Sequence, residues 1–237
     1  MTPEDPSQPF WDYLDLALFL GLALPTMLAS YGIVRLARLS PLLRLGKEPE
    51  ALAAQFVWYA LLFTCLYGLL RLRYRQPFWR AMGWTFPGRA LWAAVPEGIF
   101  LAFAVGAIGT LLRAKPVPLP FDEMLKSRLS IFVLGVFVVV LGPLCEELAF
   151  RGLIMPLLVR QLGVVPGILL TALPFALLHG PQYQWSWQHI ALILTAGYVF
   201  GYARWKSGST AVSTLLHAVY NLVFFSAFLL QSKLVKT

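Results

Sequence analysis

Leu16–Val34, LALFLGLALPTMLASYGIV, runs for 19 residues without a charged side chain, and Ala51–Leu70, ALAAQFVWYALLFTCLYGLL, does so for 20. About 20 apolar residues of α-helix cross a hydrocarbon core that is about 30 Å thick. Because lipid offers backbone groups no external hydrogen-bond partner, runs of this length must be helical. The two stretches therefore predict an all-α, polytopic membrane protein.

The composition of the whole chain agrees with this prediction. Of its 237 residues, 59% are hydrophobic and 13% are charged, whereas a soluble domain carries about a quarter charged residues. The formal net charge is +8, but the Lys and Arg residues lie between apolar segments, where loops and lipid headgroups account for them. We therefore expect a multi-pass protein of the cell membrane, with the lipid bilayer as a partner and no binding to nucleic acid.

Apolar segments recur along the chain and predict seven, or at most eight, transmembrane helices with an active site within the helical bundle. Their approximate bounds are 14–36, 51–70, 90–112, 129–159, 164–179, 189–203 and 210–230. Helices 1–3 and their loops make up residues 1–128, a helical core makes up 129–230, and 231–237 form a tail. The N-terminus is acidic and lacks the basic region of a cleaved signal peptide, so we expect the first span to remain. Counts of Lys and Arg in alternate loops are nearly equal and leave the orientation open.

Three acidic residues, Glu97, Glu146 and Glu147, fall within predicted spans. An ionisable group at membrane depth costs about 3 kcal/mol or more, and it usually marks a functional site. One of them, Glu147, belongs to a pattern of side chains four residues apart, which share one face of a helix. The pattern comprises Glu147 with Arg151, Phe175 with His179, and His217 with Asn221.

The spacing of these residues predicts that they meet. Glu146 lies 16 residues before Leu162 and His179 lies 17 residues after it. At about 1.5 Å per residue, two antiparallel helices joined by a turn near Leu162 bring both side chains to one depth, about 25 Å from that turn. Gly142-Pro143 further predicts that a helix restarts at Pro143, since proline is favoured in the first turn of a helix. Glu146 and Glu147 would then lie at a helix N-terminus, where the dipole favours an anion.

The motifs EExxxR, FxxxH and HxxxN, in this order on successive apolar helices, resemble those of the CPBP family. This family comprises CAAX proteases and bacteriocin-processing enzymes and is also called the Abi family. The resemblance covers the fourth to the seventh segment and implies an intramembrane endopeptidase. We expect it to use no cofactor. It implies that Glu146 is the general base, that His179 orients or activates water, and that His217 and Asn221 stabilise the oxyanion.

The resemblance leaves several assignments open. Glu147 and Arg151 are either a structural ion pair or part of the catalytic machinery, and Phe175 is expected to pack rather than react. Glu97 lies outside the motifs and is an additional candidate for the cavity. Cys145 is a rival nucleophile, although as the neighbour of Glu146 it points about 100° away around the helix. His189 is expected to be structural.

Zinc and non-catalytic functions are the alternatives. Glu146, His179 and His217 are residue types that ligate zinc, but the HExxH signature is absent and we favour a metal-free reaction. A membrane immunity or scaffold protein on the same fold is a second class. A small transporter would be expected to have two related halves, and none is found. As substrates, the resemblance implies prenylated CAAX proteins, leader-bearing bacteriocin or pheromone precursors, or other membrane-associated peptides.

Overall fold

A computed structural model describes residues 9–37, 39, 47–117 and 128–234, and these residues form helices without any strand. The all-α prediction is therefore confirmed for the described part of the chain. The predicted tail and the acidic N-terminus lie partly outside it. The helices are α1 (Tyr13–Ala37), α2 (Lys47–Tyr74), α3 (Phe78–Ala81), α4 (Gly88–Leu111), α5 (Arg128–Leu162), α6 (Val164–Leu178), α7 (Trp187–Ser207) and α8 (Thr210–Leu234).

Five of the described helices are long and apolar enough to cross a membrane, namely α1, α2, α4, α5 and α8. The predicted number of seven or eight spans is thus not confirmed. Helix α6 is apolar but has only 15 residues, which corresponds to about 22 Å. Helix α7 has 21 residues but carries Gln188, His189, Arg204 and Lys206, which lower its hydropathy.

The chain divides into two compact units, residues 1–9, 82–119 and 132–237, and residues 10–81 and 120–131. In the second unit, the indole of Trp58 on α2 donates to the Ala23 carbonyl of α1 at 2.9 Å. The carboxylate of Asp15 is fully buried there, and it accepts from the Tyr74 hydroxyl and pairs with Arg73 at 3.0 Å. These polar contacts join α1 and α2 near the middle of the pair and at one of its ends.

The first unit is built around α4, α7 and α8. Its hydrophobic core comprises Ala94, Leu101, Val105, Leu192, Ala196, Phe200, Ala203, Val212 and Leu216. Small residues allow close approach, because a Cβ at Gly98 of α4 would lie 2.7 Å from the Leu216 carbonyl oxygen of α8. Small residues at such contacts are typical of packed membrane helices.

Hydrogen bonds to the loop before α4 hold the beginning of α8 in place. The turn between α7 and α8 passes through Gly208, whose φ of +67° suits glycine. Immediately after it, the Thr210 backbone N–H donates to the Gly83 carbonyl at 2.9 Å and its hydroxyl donates to the Met82 carbonyl at 2.6 Å. Arg204 donates to the same hydroxyl at 2.8 Å. These bonds fix the start of the helix that carries His217.

Helix α5 runs without interruption through Gly142 and Pro143, so the predicted helix start at Pro143 is wrong. A π-helical segment, Phe137–Leu141, ends two residues before the proline, and a second one covers Leu148–Ile154. The wider turn accommodates Pro143, which has no backbone N–H to donate. Glu146 and Glu147 therefore lie within a long helix, and their charge depends on neighbouring side chains rather than on a helix N-terminus. The turn between α5 and α6 lies at Gly163, with φ +85°, where the sequence predicted it.

Candidate active site

The buried centre of the site is an ion pair on α5. Glu147 and Arg151 are both inaccessible to solvent. Nη1 of Arg151 donates to Oε1 of Glu147 at 2.9 Å, and Nη2 donates to the Gly197 carbonyl of α7 at 2.6 Å. The pair predicted from the spacing is therefore present, and it also joins α5 to α7.

Three phenyl rings surround the Arg151 guanidinium. Its central carbon lies 4.6 Å from the ring centroid of Phe175, 5.5 Å from that of Phe200 and 5.9 Å from that of Phe150. A cation over an aromatic face is attracted by the ring quadrupole, more strongly when it is desolvated. The rings thus keep water away from the ion pair while they stabilise its positive member.

His217 of α8 lies between the two glutamates. Its Nδ1 is 3.0 Å from Oε1 of Glu147, and its Nε2 is 3.8 Å from Oε2 of Glu146. Because an ionised carboxylate only accepts, the first contact places the proton on Nδ1 and leaves a lone pair on Nε2 of the neutral ring. The distance to Glu146 is too long for a direct hydrogen bond, and it is a separation that a water molecule can bridge.

His179 at the end of α6 has a fixed tautomer as well. Its Nδ1 is 2.8 Å from the Phe175 carbonyl oxygen, which can only accept, so Nδ1 carries the proton in the neutral ring and Nε2 is an acceptor. The ring centroid of Phe175 lies 4.8 Å from that of His179 and 5.9 Å from that of His217. Phe175 packs, as expected from the sequence, and it packs against both histidines.

Asn221 contacts α5 rather than the carboxylates. Its Nδ2 donates to the Val138 carbonyl oxygen at 2.8 Å. The structure thus brings together six predicted residues, Glu146, Glu147, Arg151, Phe175, His179 and His217, while Asn221 attaches to the π-helical turn that precedes them.

The remaining sequence candidates lie outside this network. Glu97 is exposed on α4, where the adjacent Gly98 is the residue that packs against α8. Cys145 is a half-buried free thiol on α5. His189 stacks on Tyr183, with ring centroids 4.9 Å apart, and its Nδ1 is 2.9 Å from the Ser186 hydroxyl.

Sequence reasoning missed Gly197 and Phe200. Gly197 supplies the carbonyl that Arg151 binds, and a Cβ there would lie 3.0 Å from the Phe175 ring and 3.3 Å from Nη2 of Arg151. Phe200 stacks on His217 at a centroid distance of 4.3 Å. One signal was available, since Gly197 and Gly201 form a small-xxx-small pattern that marks a helix interface in membranes.

The residues do not form a metal site in this structure. In the described part of the chain, no three His, Cys, Asp or Glu side chains are grouped so that they could hold a metal ion. The Nδ1 atoms of both histidines are engaged by oxygen acceptors on the protein. Both rings keep a lone pair on Nε2, so the zinc-dependent alternative is left to the cleavage assay with a chelator that is described below.

A bundle of apolar helices with a buried carboxylate–histidine cluster defines a polytopic membrane protein with the elements of a hydrolytic site. Residues 128–223 match the family model of the Rce1-like type II CAAX prenyl endopeptidases. This match confirms the resemblance to the CPBP family over α5 to α8 and supports a membrane endopeptidase. The matched range, 128–223, contains all the residues of the site described above, and it does not contain Glu97. No curated protein and no solved structure matches the chain.

Proposed function

We propose that the protein is an intramembrane endopeptidase that hydrolyses membrane-associated peptides with a water molecule activated by Glu146. The observation that carries this proposal is the separation of 3.8 Å between Oε2 of Glu146 and Nε2 of His217. A carboxylate and an imidazole acceptor that face each other at this distance suit a bound water. The reaction needs no metal ion or cofactor.

The two glutamates have different tasks in this proposal. The side chain of Glu146 keeps 23% of its surface exposed, whereas that of Glu147 keeps none. Substrate and water can therefore reach Glu146, while Glu147 is engaged by Arg151 and His217. Glu146 takes a proton from water as the water oxygen attacks the scissile carbonyl carbon. The resemblance implies that His179 orients this water, and its acceptor Nε2 would then take the place of Nε2 of His217 as the partner of the second water proton.

His217 carries the proton onward. Once the attacking water has left the gap of 3.8 Å and the two groups close to hydrogen-bond distance, Glu146 passes the proton to Nε2, and Glu147 stabilises the resulting imidazolium through Nδ1–H. Nε2–H then donates to the oxyanion and afterwards to the nitrogen of the scissile bond, so that the C–N bond breaks and an amine leaves. The two products are a carboxylic acid and an amine, and Glu146 returns to its ionised form. Proton transfer by positioned side chains typically contributes about 10²–10⁴-fold to the rate.

The matched family carries the substrate in its description, CAAX prenyl endopeptidase. We therefore propose prenylated peptides with a C-terminal CAAX sequence as the first substrate class. The prenyl chain would hold such a peptide at the bilayer, where the site lies. Leader-bearing precursors and other membrane-associated peptides are the further classes that the resemblance implies.

Cleavage by the purified protein in lipid vesicles tests this proposal. The substrates are a farnesylated CAAX peptide, the same peptide without the lipid, and a leader-bearing peptide. We expect the wild type to cleave at least one of them and Glu146→Gln to lose about 100-fold or more in kcat. Glu97→Gln is the matched control, since it neutralises another carboxylate in an apolar helix and Glu97 is exposed on α4. It should stay within a few-fold of wild type.

Two further outcomes separate the alternatives. Cleavage that persists in Glu146→Gln would overturn the proposal, and equal partner binding by both proteins would favour the scaffold class. The same assay with a chelator tests the zinc-dependent version. We expect the chelator to leave the rate unchanged, and a loss that added Zn²⁺ restores would replace the metal-free reaction.

A further inference from the structure

The carbonyl of Val138 lacks a partner within its own helix. In the π-helical segment Phe137–Leu141, the Gly142 N–H donates to the Phe137 carbonyl, five residues back. The same pattern, one residue further, would pair the Val138 carbonyl with the N–H of residue 143. That residue is Pro143, which has no N–H.

Asn221 supplies the missing donor. Its Nδ2 lies 2.8 Å from the Val138 oxygen, and the acceptor is a carbonyl, so the amide nitrogen must face it. Within an apolar bundle an unpaired backbone carbonyl is costly, because no water is at hand to replace the lost bond. One of the two N–H groups of the Asn221 amide is thus engaged by the backbone oxygen that Pro143 leaves without a donor.

The bond joins the same two elements as the catalytic contacts. His217 and Asn221 are four residues apart on one face of α8. His217 bonds to Glu147, after the proline, and Asn221 bonds to Val138, before it. If the π turn relaxed to an ordinary helical turn, the register beyond it would shift by one residue. Such a shift turns the following side chains by about 100° about the helix axis.

We infer that Asn221 is a positioning residue, which holds the π turn before Pro143 and thereby keeps Glu146 and Glu147 directed at His217. Its effect on activity rests on the proposed function, whereas its effect on α5 does not. This role differs from the oxyanion donor that the family resemblance implies. An oxyanion donor binds the substrate. A backbone N–H introduced on α5 could bind the Val138 carbonyl but could not take over the contact with the substrate.

Pro143→Ala therefore provides a decisive second variant, because it returns a backbone N–H at the position that can donate to Val138. The four proteins to compare are wild type, Asn221→Leu, Pro143→Ala and the double variant. Leucine has the same branched side-chain skeleton as asparagine and has no donor. Amide hydrogen exchange over residues 137–147 reports on the helix without any substrate, and cleavage of the peptide panel reports on the site.

We expect Asn221→Leu to speed exchange in 137–147 and to lower kcat by about 100-fold, as for a small displacement of catalytic groups. Pro143→Ala alone should stay within a few-fold of wild type. The double variant should regain slow exchange and most of the lost activity. If Asn221→Leu fails to fold, recovery of folded protein in the double variant carries the same information.

Two results would overturn the inference. One is unchanged exchange in Asn221→Leu, and the other is a double variant as impaired as Asn221→Leu itself. A wild type that cleaves nothing would instead count against the proposed function, and the exchange comparison would still decide the role of Asn221.

Discussion

Arg151 explains why a buried carboxylate can remain ionised inside this bundle. Its two terminal nitrogens donate to acceptors on different helices, Glu147 on α5 and Gly197 on α7. A lysine ammonium is a compact point charge and cannot reproduce this planar, two-directional arrangement. The Glu147 oxygen that Arg151 binds is also the one that His217 contacts. The pair is therefore structural in its packing, and it is connected through His217 to Glu146, the proposed general base.

A pair of variants separates these two aspects. Arg151→Met leaves the Glu147 carboxylate buried without its cation, which typically costs about 3–5 kcal/mol. Glu147→Gln combined with Arg151→Met removes both charges, so we expect thermal unfolding in detergent to return much of the way to wild type. Cleavage should remain low in the double variant, because a neutral amide in place of the carboxylate would no longer stabilise the His217 imidazolium. If the double variant cleaves as wild type does, the pair has only a structural role.

The sequence predicted part of this site for a clear reason. Spacing within one helix determines which side chains share a face, so the Glu147–Arg151 pair followed from the positions alone. The contact between Glu147 and His217 did not, because it depends on the rotation of α8 relative to α5. That rotation is determined by packing between helices. The periodic pattern of apolar residues in a single sequence does not reveal it.

Helix α5 illustrates the limit at the level of elements. Gly142-Pro143 predicted a helix start, since a proline inside a helix usually costs a hydrogen bond and causes a clash. The structure instead keeps the helix and widens the turn before the proline into a π segment. The side chain that makes this acceptable, Asn221, is 78 residues further along the chain. The preference of proline for the first turn of a helix concerns neighbouring residues only, so it could not predict a hydrogen-bond donor on α8.

The packing of α4 on α8 leads to an element-scale prediction. A Cβ added at Gly98 would lie 2.7 Å from the Leu216 carbonyl, a backbone atom directly before His217. Gly98→Ala must therefore push α8 away, and overpacking of this kind typically costs about 1–3 kcal/mol. We expect a lower unfolding temperature and weaker cleavage, because the displacement is transmitted to His217.

Gly106→Ala is the matched control on the same helix. A Cβ at Gly106 would meet nothing within 4 Å. Alanine also has a higher helix propensity than glycine, by about 1 kcal/mol. This variant should be as stable as wild type or more so, with unchanged cleavage. Equal destabilisation by the two substitutions would show that the contact between Gly98 and Leu216 does not limit the packing of α4.

At the scale of the whole molecule, the number of membrane crossings depends on α6 and α7. Helix α6 falls short in length, yet one of its faces carries large apolar side chains that are exposed at the surface of the protein. Leu178 is 71% exposed and Val165 is 61% exposed, and Leu169, Leu170, Leu173 and Leu177 are exposed as well. A continuous apolar surface of this kind requires lipid or a partner protein to cover it. Length and hydropathy, taken helix by helix, overlook this property of the assembled bundle.

We therefore predict that α6 and α7 both lie within the membrane, which gives seven crossings with α1, α2, α4, α5 and α8. Residues before α6 and residues at the start of α7 must then lie on opposite sides of the bilayer. Single cysteines at Gln161 and at Trp187, introduced with Cys65 and Cys145 replaced by alanine, test this in sealed vesicles of one orientation. An impermeant thiol reagent added outside should label one variant, and the other only after the vesicles are opened. Labelling of both from the same side would mean that α6 does not cross the membrane.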